Sequence, residues 1–295
     1  MNVLSAKNQK LKFITRCSLP GAFYSLLPAL YCLLLTPYCL LLLFCPLISY
    51  SYERVISLSP QITESIYLLG AGEKLIGVTE LCKRPKEAAK KERIGTPLRP
   101  DIEKIVSLRP DLILGTREGN PPLAMERLKR FGMKVHYFVR PKTLNDLLGN
   151  FLILSHLLMK DEIGERIVSN VKNYLDKIKT GERYRVLWEV GANPLMVASD
   201  TSFANDIIRI AGGINIVETE MPYPRMNIEE IMVKGPQIIV LMDMGYNIEL
   251  EMKQWRKYVK DARFVVMDSY IVGSPTPVSF LEAVNKLAEA FKNVE

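Results

Sequence analysis

Residues 101–114 (DIEKIVSLRPDLIL) recur in pattern as residues 227–240 (NIEEIMVKGPQIIV), at an offset of 227 − 101 = 126. Each copy begins with a residue that favours the N-cap of a helix, Asp101 or Asn227, and a proline ends the short helical pattern before an apolar run of strand type. Ile, Glu, Ile, Pro and Ile recur in register between the copies. The chain therefore repeats one helix–strand unit, which predicts two related lobes.

Strand and helix patterns alternate on both sides of the two copies. The predicted strands are 55–58, 75–78, 112–114, 135–138, 184–190, 238–242 and 264–267, and the predicted helices are 60–69, 122–130, 203–210 and 277–292. The first helix has Ser59 as its N-cap and Pro60 in its first turn. Alternation of this kind is typical of parallel βα units with helices on both faces of the sheet.

Residues 143–180 interrupt the alternation, because they hold no strand pattern and no proline. They indicate two helices that meet near Lys160-Asp161, the second with Ile163, Ile167, Val171 and Leu175 on one apolar stripe. We therefore predict an α/β protein with an N-terminal lobe at 52–142, a helical segment at 143–181 and a C-terminal lobe at 182–295.

The first 51 residues have the pattern of a targeting segment. Four positive charges between Lys7 and Arg16 precede a Leu-rich run, 17–52, that carries no charge. A positive head before an apolar run is typical of an export signal, but this run exceeds the roughly 7–15 residues of an ordinary one and could span a bilayer. Four prolines interrupt it, which disfavours one uniform helix. Residues 1–51 are therefore either a cleaved signal peptide or a retained membrane anchor.

Charge and cysteine content both change when this segment is set aside. The net charge of +7 falls to 35 − 32 = +3, because residues 1–51 hold four of the 39 Lys and Arg and no acid. A near-neutral remainder does not favour a nucleic-acid partner. Four cysteines, Cys17, Cys32, Cys39 and Cys45, lie in the segment, so Cys82 stands alone in the rest. No disulfide within the remaining chain is possible.

Motifs of catalysis and metal binding are missing from the sequence. It contains no Gly-x-Ser-x-Gly, His-Glu-x-x-His, phosphate loop or Gly-x-Gly-x-x-Gly. The two histidines, His136 and His156, lie in apolar surroundings that favour packing over ligation. With one cysteine besides, a transition-metal site built by the protein is hard to assemble. We predict no enzyme, no cofactor and no resident metal, so any metal arrives inside a chelate.

Polar and aromatic residues gather in the predicted strand-to-helix loops, where open α/β sheets bind their ligands. The candidate ligand-binding residues are Ser59, Arg84, Pro97, Arg99 and Arg117 in the first lobe, and Asn193, Tyr223, Arg225, Tyr246 and Tyr270 in the second. The arginines offer forked donors to an anionic or carboxamide-rich ligand. Taken singly, each could equally be a solvated surface residue.

Each repeated unit also places one acid, Glu103 or Glu229, in the first turn of its short helix. An early Glu can simply complement the helix dipole. Because the two copies are in register, a shared role for Glu103 and Glu229 is about as well supported as this purely structural one.

Three motifs occur in order with the spacing of one family. They are residues 54–64 (RVISLSPQITE), 77–79 (GVT) and 101–113 (DIEKIVSLRPDLI), and the chain over 53–295 resembles the cobalamin and iron-siderophore substrate-binding proteins of ABC importers. The resemblance is greatest to the cobalamin-binding branch, although Arg84 and Pro97 stand where that branch often has aromatics, while Tyr223 keeps one. It therefore leaves cobalamin or another corrinoid, a ferric siderophore and haem as ligands.

The resemblance implies two doubly wound α/β lobes joined by a long bridging α-helix, near 161–180, with the ligand between the lobes. It implies that Glu103 and Glu229 dock the protein onto the permease dimer of an importer with its ATPase. The expected protein is a periplasmic or otherwise extracytoplasmic monomer, either free or held at the membrane by its N-terminal segment. Alternatives on the same scaffold are a membrane-anchored sensor domain and an enzyme that processes a tetrapyrrole or chelate.

Overall fold

Ten strands form two sheets in the computed structural model, which describes residues 51–178, 183–245 and 247–292. They are β1 (Val55–Ser57), β2 (Leu75–Val78), β3 (Glu92–Arg93), β4 (Leu112–Thr116), β5 (Val135–Phe138), β6 (Arg185–Ala192), β7 (Leu195–Val197), β8 (Ile214–Asn215), β9 (Ile238–Asp243) and β10 (Arg263–Asp268). The first sheet has the order β3-β2-β1-β4-β5 and is parallel throughout. The second has the order β10-β9-β6-β7, with β7 antiparallel and β8 beside the start of β6.

Helices connect the strands and cover the sheets. They are α1 (Pro60–Leu68), α2 (Ile102–Ser107), α3 (Pro122–Arg130), α4 (Leu144–Leu157), α5 (Asp161–Leu175), α6 (Phe203–Ala211), α7 (Ile228–Lys234), α8 (Ile248–Trp255), α9 (Ser269–Gly273) and α10 (Pro277–Lys292). Two 3₁₀ turns, Gly72–Lys74 and Lys86–Lys90, flank β2. The described residues from Ser51 onward belong to one compact unit, 51–295.

The repeated sequence folds as the same unit in both halves of the chain. The side chains of Asp101 and Asn227 accept hydrogen bonds from the backbone N–H groups of Lys104 and Glu230, each at 3.0 Å. These bonds satisfy donors that the first turns of α2 and α7 would leave unpaired. Each short helix leads into the strand beside the central strand of its sheet, β4 in one and β9 in the other.

The two repeated units are also equivalent in how their strands pair within the two sheets. In the first sheet β1 lies between β2 and β4, and in the second β6 lies between β8 and β9, all with parallel pairing. The first residue of β4, Leu112, pairs with Val55, and the first residue of β9, Ile238, pairs with Val186. Both partner strands are largely apolar and buried, as strands covered on both faces must be. The predicted pair of related α/β lobes is confirmed.

Two helices, α4 and α5, connect the first sheet to the second. Thr143 and Asp146 form a capping box at the start of α4, each side chain bonding the other residue's backbone N–H. One continuous hydrophobic core contains residues of both sheets together with the buried faces of α4, α5 and α10. A Cβ on Gly164 of α5 would overlap Ser155 of α4, so the two helices approach closely at this glycine. The lobes are therefore joined by packed helices and not by a single extended strand.

Some local predictions need correction. His156 is not packed, because its side chain is 80% exposed at the end of α4 and lies 3.0 Å from the Asp161 carboxylate. The second helix of the connection, expected near 161–180, ends at Leu175. Strands β3, β7 and β8 and helix α8 were not predicted, since two- and three-residue strands carry no period and α8 lacks a strong apolar stripe. Ser59 is the N-cap of α1, but its side chain makes no capping bond.

The predicted signal peptide or anchor and its four cysteines lie outside the described residues. Within the described ranges, no helix is both long and apolar enough to cross a membrane. The same ranges hold no group of three or more His, Cys, Asp or Glu suited to a metal ion. Cys82 is a buried free thiol, and its sulfur lies 3.1 Å from the hydroxyls of Thr63 and Thr79.

Candidate ligand cleft

Two relationships show that the carboxyl ends of the two sheets face each other. Arg84, in the loop after β2, lies against Asp268 at the end of β10. Arg140, after β5, lies near enough to Tyr223, beside β7, for its charge to lower the pKa of the phenol. Because β2 and β5 lie on opposite sides of β1 and β4, these relationships mark the two ends of one cleft. Loops at the carboxyl ends of parallel strands are where such folds bind ligands.

Asn120 organises the rim of the first lobe. It is 3% exposed, and its amide nitrogen donates to the backbone carbonyls of Pro97 at 3.0 Å and Leu58 at 3.3 Å. Its amide oxygen accepts from the backbone N–H of Thr116 at 2.7 Å. One buried side chain thus ties together the loops that follow β1, β3 and β4. The hydrogen bond from Asn120 therefore fixes the backbone of Pro97, and the Pro97 ring forms part of the rim.

Three arginines on the rim are exposed to solvent. Arg99 lies in the loop that Asn120 holds, Arg117 follows β4 directly, and Arg225 pairs in antiparallel fashion with Met196 of β7. Within residues 51–178, 183–245 and 247–292, none of the three forms an ion pair with a carboxylate. Their guanidinium groups are therefore open to an anionic or amide-bearing ligand.

The rim of the second lobe is built by residues 222–226. The backbone N–H groups of Val197 and Ser199 donate to the carbonyls of Pro224 and Pro222, at 3.1 and 3.0 Å. This pairing extends the sheet beyond β7 and holds Tyr223, which is half-buried against the main core. Burial raises the pKa of the Tyr223 phenol, and the charge of Arg140 opposes that rise. The phenol is neutral at physiological pH and can donate a hydrogen bond.

Arg84 is part-exposed, and its guanidinium contacts the second lobe. Its guanidinium Nη2 lies 2.6 Å from Asp268 Oδ2, and its guanidinium carbon lies 5.0 Å from the centre of the Tyr270 ring. Burial raises the pKa of the Tyr270 phenol to about 12. Tyr270 is thus a neutral, half-buried ring that both closes one end of the cleft and carries a cation on its face.

Glu64 is the ionisable group of α1 that faces this end of the cleft. Burial is the main cause that raises the pKa of its carboxyl, and the nearby carboxylates of Glu282 and Asp268 raise it further. The charge of Arg84 and a hydrogen bond from Thr276 act in the opposite direction. Within the described residues, Oε2 of Glu64 is buried and has no hydrogen-bond partner.

An apolar pocket open to solvent lies between α1, α4 and the start of α10. Phe138 and Phe151 line it from the first lobe and α4, and Pro275 and Pro277 line it from the start of α10. Apolar side chains also stand exposed beyond the ends of several strands: Leu98 after β3 is 68% exposed, Leu123 in the first turn of α3 is 72%, Met221 is 60% and Met244 after β9 is 57%. Large exposed side chains at one edge of a fold are typical of a binding surface.

The remaining candidate residues lie in four different places. Ser59 is 5% exposed and lies beneath the rim, while Asn193 is exposed in the turn between β6 and β7. Tyr246 lies outside the described residues. Glu103 and Glu229 are both exposed on the first turns of α2 and α7.

Sequence reasoning missed several residues of this cleft. Asp268 directly follows the predicted strand 264–267, and that position was the signal that could have identified it. Asn120 lies three residues after the candidate Arg117, but its three hydrogen bonds follow only from the fold. Glu64 sits in the middle of a helix, and no sequence pattern distinguishes it from a surface acid.

Two sheets that face each other across an apolar, arginine-rimmed cleft define a two-lobed ligand-binding protein. Residues 55–265 match the family described as periplasmic binding protein, and the chain belongs to that family. It is accordingly a binding protein and not an enzyme.

Similar proteins of known sequence and structure extend this assignment. The vitamin B12-binding protein of Vibrio vulnificus is 30% identical over 251 residues, which cover 82% of this chain and 91% of that protein. The crystal structure of the periplasmic vitamin B12 binding protein of Vibrio cholerae is similar with a TM-score of 0.67 and 27% identity, over 82% of this chain and 98% of that one. A periplasmic haem-binding protein from Roseiflexus has a TM-score of 0.73 at 22% identity, over 83% and 99%, and shares the fold.

Proposed function

We propose that the protein is the extracytoplasmic receptor of an ABC importer and captures a metal chelate, of which a corrinoid such as cobalamin is the favoured one, between its lobes. The observation that carries the proposal is the cleft, where exposed apolar side chains and three arginines that meet no carboxylate in the described part of the chain surround the space between facing sheets. A macrocycle with apolar faces and polar edge groups matches such a lining. The similarity to vitamin B12-binding proteins supports the corrinoid over a ferric siderophore or haem.

Titration with cyanocobalamin, haemin and a panel of ferric siderophores tests the ligand class, with calorimetry as the readout. Trp188 and Trp255 are both essentially buried, so their fluorescence reports a coloured ligand by energy transfer and not by direct contact. We expect saturable binding of cyanocobalamin at one site. Saturable siderophore or haemin binding without a cobalamin response would reject the corrinoid.

Glu103 and Glu229 support delivery to a permease. Both are exposed, and both occupy the second position of a short capped helix in the repeated unit. Two carboxylates related by an internal repeat can meet equivalent basic pockets on a two-fold permease dimer. The docking partner is therefore proposed to be an importer permease with its ATPase.

The double variant Glu103→Ala/Glu229→Ala tests the docking. We expect uptake in cells to be lost while the affinity for the ligand stays unchanged. Glu165→Ala/Glu249→Ala removes two other exposed acids and serves as the matched control. Uptake that persists in the first double variant would reject a docking role for this pair.

Export is the remaining part of the proposal, and it rests on the charged head and apolar run of residues 1–51. We propose that the segment directs the chain across the membrane and that the binding unit works on the outer side. N-terminal sequencing of the secreted protein distinguishes a cleaved signal from a retained anchor. A protein found wholly in the cytoplasm would contradict the proposal.

A further inference from the structure

We infer that the C-terminal lobe meets the importer permease through an acidic and apolar surface on α7, formed by Glu229, Met232 and Val233, and that this lobe contributes more to docking than the N-terminal lobe does. The inference rests on the proposed function and deepens it, because it concerns the same docking contact. It names the apolar chemistry that the permease has to present, and it makes the two lobes unequal.

Two adjacent apolar side chains of α7 stand in solvent. Val233 is 89% exposed, the highest value among the exposed large apolar side chains of residues 51–178, 183–245 and 247–292, and its neighbour Met232 is 44% exposed. The stability of α7 does not account for this valine, because a β-branched residue lowers helix propensity and an exposed side chain buries no apolar area. Exposed apolar side chains that adjoin one another are typical of a surface that a partner covers.

Glu229 and Val233 lie on the same side of α7. Ile231 is the buried residue of this helix, so it fixes which side of α7 faces the sheet. With 3.6 residues per turn, positions 229 and 233 each point about 160° away from position 231, and side chains four residues apart are neighbours on a helix. The carboxylate and the valine therefore form one outward surface, with Met232 beside it.

The equivalent helix of the N-terminal lobe, α2, lacks this apolar surface. At the offset of 126, Ser107 corresponds to Val233 and Val106 corresponds to Met232. The Ser107 hydroxyl donates to the backbone carbonyl of Lys104 at 2.7 Å, so it is bonded within its own helix. Val106 is half-buried against the core of its lobe.

The charges beside the two docking glutamates differ as well. Glu103 is followed by Lys104, whose ammonium lies 2.8 Å from the carboxylate of Glu92. Glu229 is followed by a second exposed acid, Glu230. The surface of α7 is therefore both more acidic and more apolar than that of α2, and it fits a pocket that combines basic and apolar side chains.

The two acids of α7 decide between the occupants of this surface. A second copy of the chain that met α7 with its own α7 would bring the acids of both copies into one contact, where they repel each other. An anionic lipid surface would repel them too. A basic and apolar pocket on the permease, the partner proposed for Glu229, complements both the charge and the apolar side chains. The permease is therefore the occupant that the surface favours.

Photo-cross-linking in cells tests which molecule covers this surface. The full-length protein carries Val233→p-benzoylphenylalanine, and Ile153→p-benzoylphenylalanine, at a side chain that is 47% exposed on α4, is the control. We expect position 233, and not position 153, to give an adduct that mass spectrometry identifies as the permease of an ABC importer, and Glu229→Ala to reduce its yield. An adduct with a second copy of this chain, an adduct with lipid alone, or no adduct would overturn the inference.

Uptake of radiolabelled cyanocobalamin measures how much each lobe contributes. Purified protein is added to spheroplasts of a strain that lacks it, and the protein concentration that gives half-maximal uptake is recorded. Val233→Ser should raise this concentration about tenfold, the effect of losing the burial of one valine. Ser107→Ala, at the equivalent position of α2, should leave it unchanged, and Glu229→Ala should raise it more than Glu103→Ala does.

The two experiments separate failure of this inference from failure of the proposed function. Circular dichroism checks that each variant is folded. If the wild-type protein supports uptake, an unchanged concentration for Val233→Ser, or equal effects of Glu103→Ala and Glu229→Ala, would overturn the inference alone. No uptake with the wild-type protein would reject cobalamin delivery, and the adduct at position 233 would then still decide whether α7 docks on a permease.

Discussion

The side-chain amide of Asn120 donates a hydrogen bond to the backbone carbonyl of Pro97, 23 residues earlier, at 3.0 Å. The same side chain bonds the backbone of Leu58 and Thr116. A single buried residue thus fixes the loops that carry the first lobe's share of the cleft rim.

Asn120→Ala should destabilise the protein by about 2 kcal/mol or more, since a buried backbone group left without its partner costs about 1–3 kcal/mol. Urea denaturation measures the change in the free energy of unfolding. Asn193→Ala, at an exposed asparagine of the opposite rim, should change it little. Equal effects of the two substitutions would show that Asn120 does not organise the rim.

The exposed apolar side chains of the rim should contribute to ligand affinity. Leu98→Ser and Met221→Ser should each weaken binding by roughly tenfold, because burial of one such side chain is worth about 1.5 kcal/mol or more. Calorimetric titration with cyanocobalamin measures the effect. Phe131, which directly follows the last residue of α3 and is 56% exposed, lies at the end of that helix away from the cleft. Phe131→Ser should therefore leave the affinity unaltered. A loss of affinity in the Phe131 variant equal to that of the rim variants would refute the assignment of the rim.

Glu64 should make stability depend on pH in a defined direction. Its pKa is raised in the folded protein, chiefly by burial, above an unfolded value of about 4.3. The favourable contribution of Glu64 to the free energy of unfolding is therefore complete below about pH 4.3. It is lost as the pH rises through the pKa of this carboxyl in the folded protein.

Glu64→Gln, which is neutral at every pH, should consequently raise the melting temperature at pH 7 and give no gain at pH 4. Thermal unfolding at the two pH values checks this. Glu165→Gln, at an exposed acid of α5, provides the control and should show no such difference. A gain of the same size at both pH values would contradict the role of the buried charge.

Two helical glycines, Gly149 in α4 and Gly164 in α5, should respond in opposite ways to alanine. A Cβ at position 164 would overlap Ser155, and overpacking of this kind costs about 1–3 kcal/mol. A Cβ at position 149 meets no atom within 4 Å, so the better helix propensity of Ala should stabilise the protein by up to about 1 kcal/mol. Chemical denaturation of Gly164→Ala and Gly149→Ala measures both signs. Destabilisation of the same size at both positions would show that helix contact is not the cause.

Most of the fold could be predicted because its signals are local. The N-cap residues Asp101 and Asn227 begin helices, and apolar runs such as 238–242 form buried strands, wherever they lie in the chain. Strands β7 and β8 could not be predicted, since each consists of two or three residues and exists only through its pairing with β6. His156 was expected to be packed but is exposed. Its apolar neighbours in sequence do not determine which side of the helix faces solvent.

The sequence by itself determined the two-lobed α/β architecture, its helical connection and the exposed pair Glu103 and Glu229, because capping, periodicity and the 126-residue repeat act over short stretches. Only the tertiary structure decided that Arg84 is held by Asp268 and that Asn120 ties three loops. Such contacts join residues far apart in the chain, at distances that depend on how the two sheets pack. Hydrogen bonds and ion pairs act only at short range, so their partners exist only once the sheets face each other.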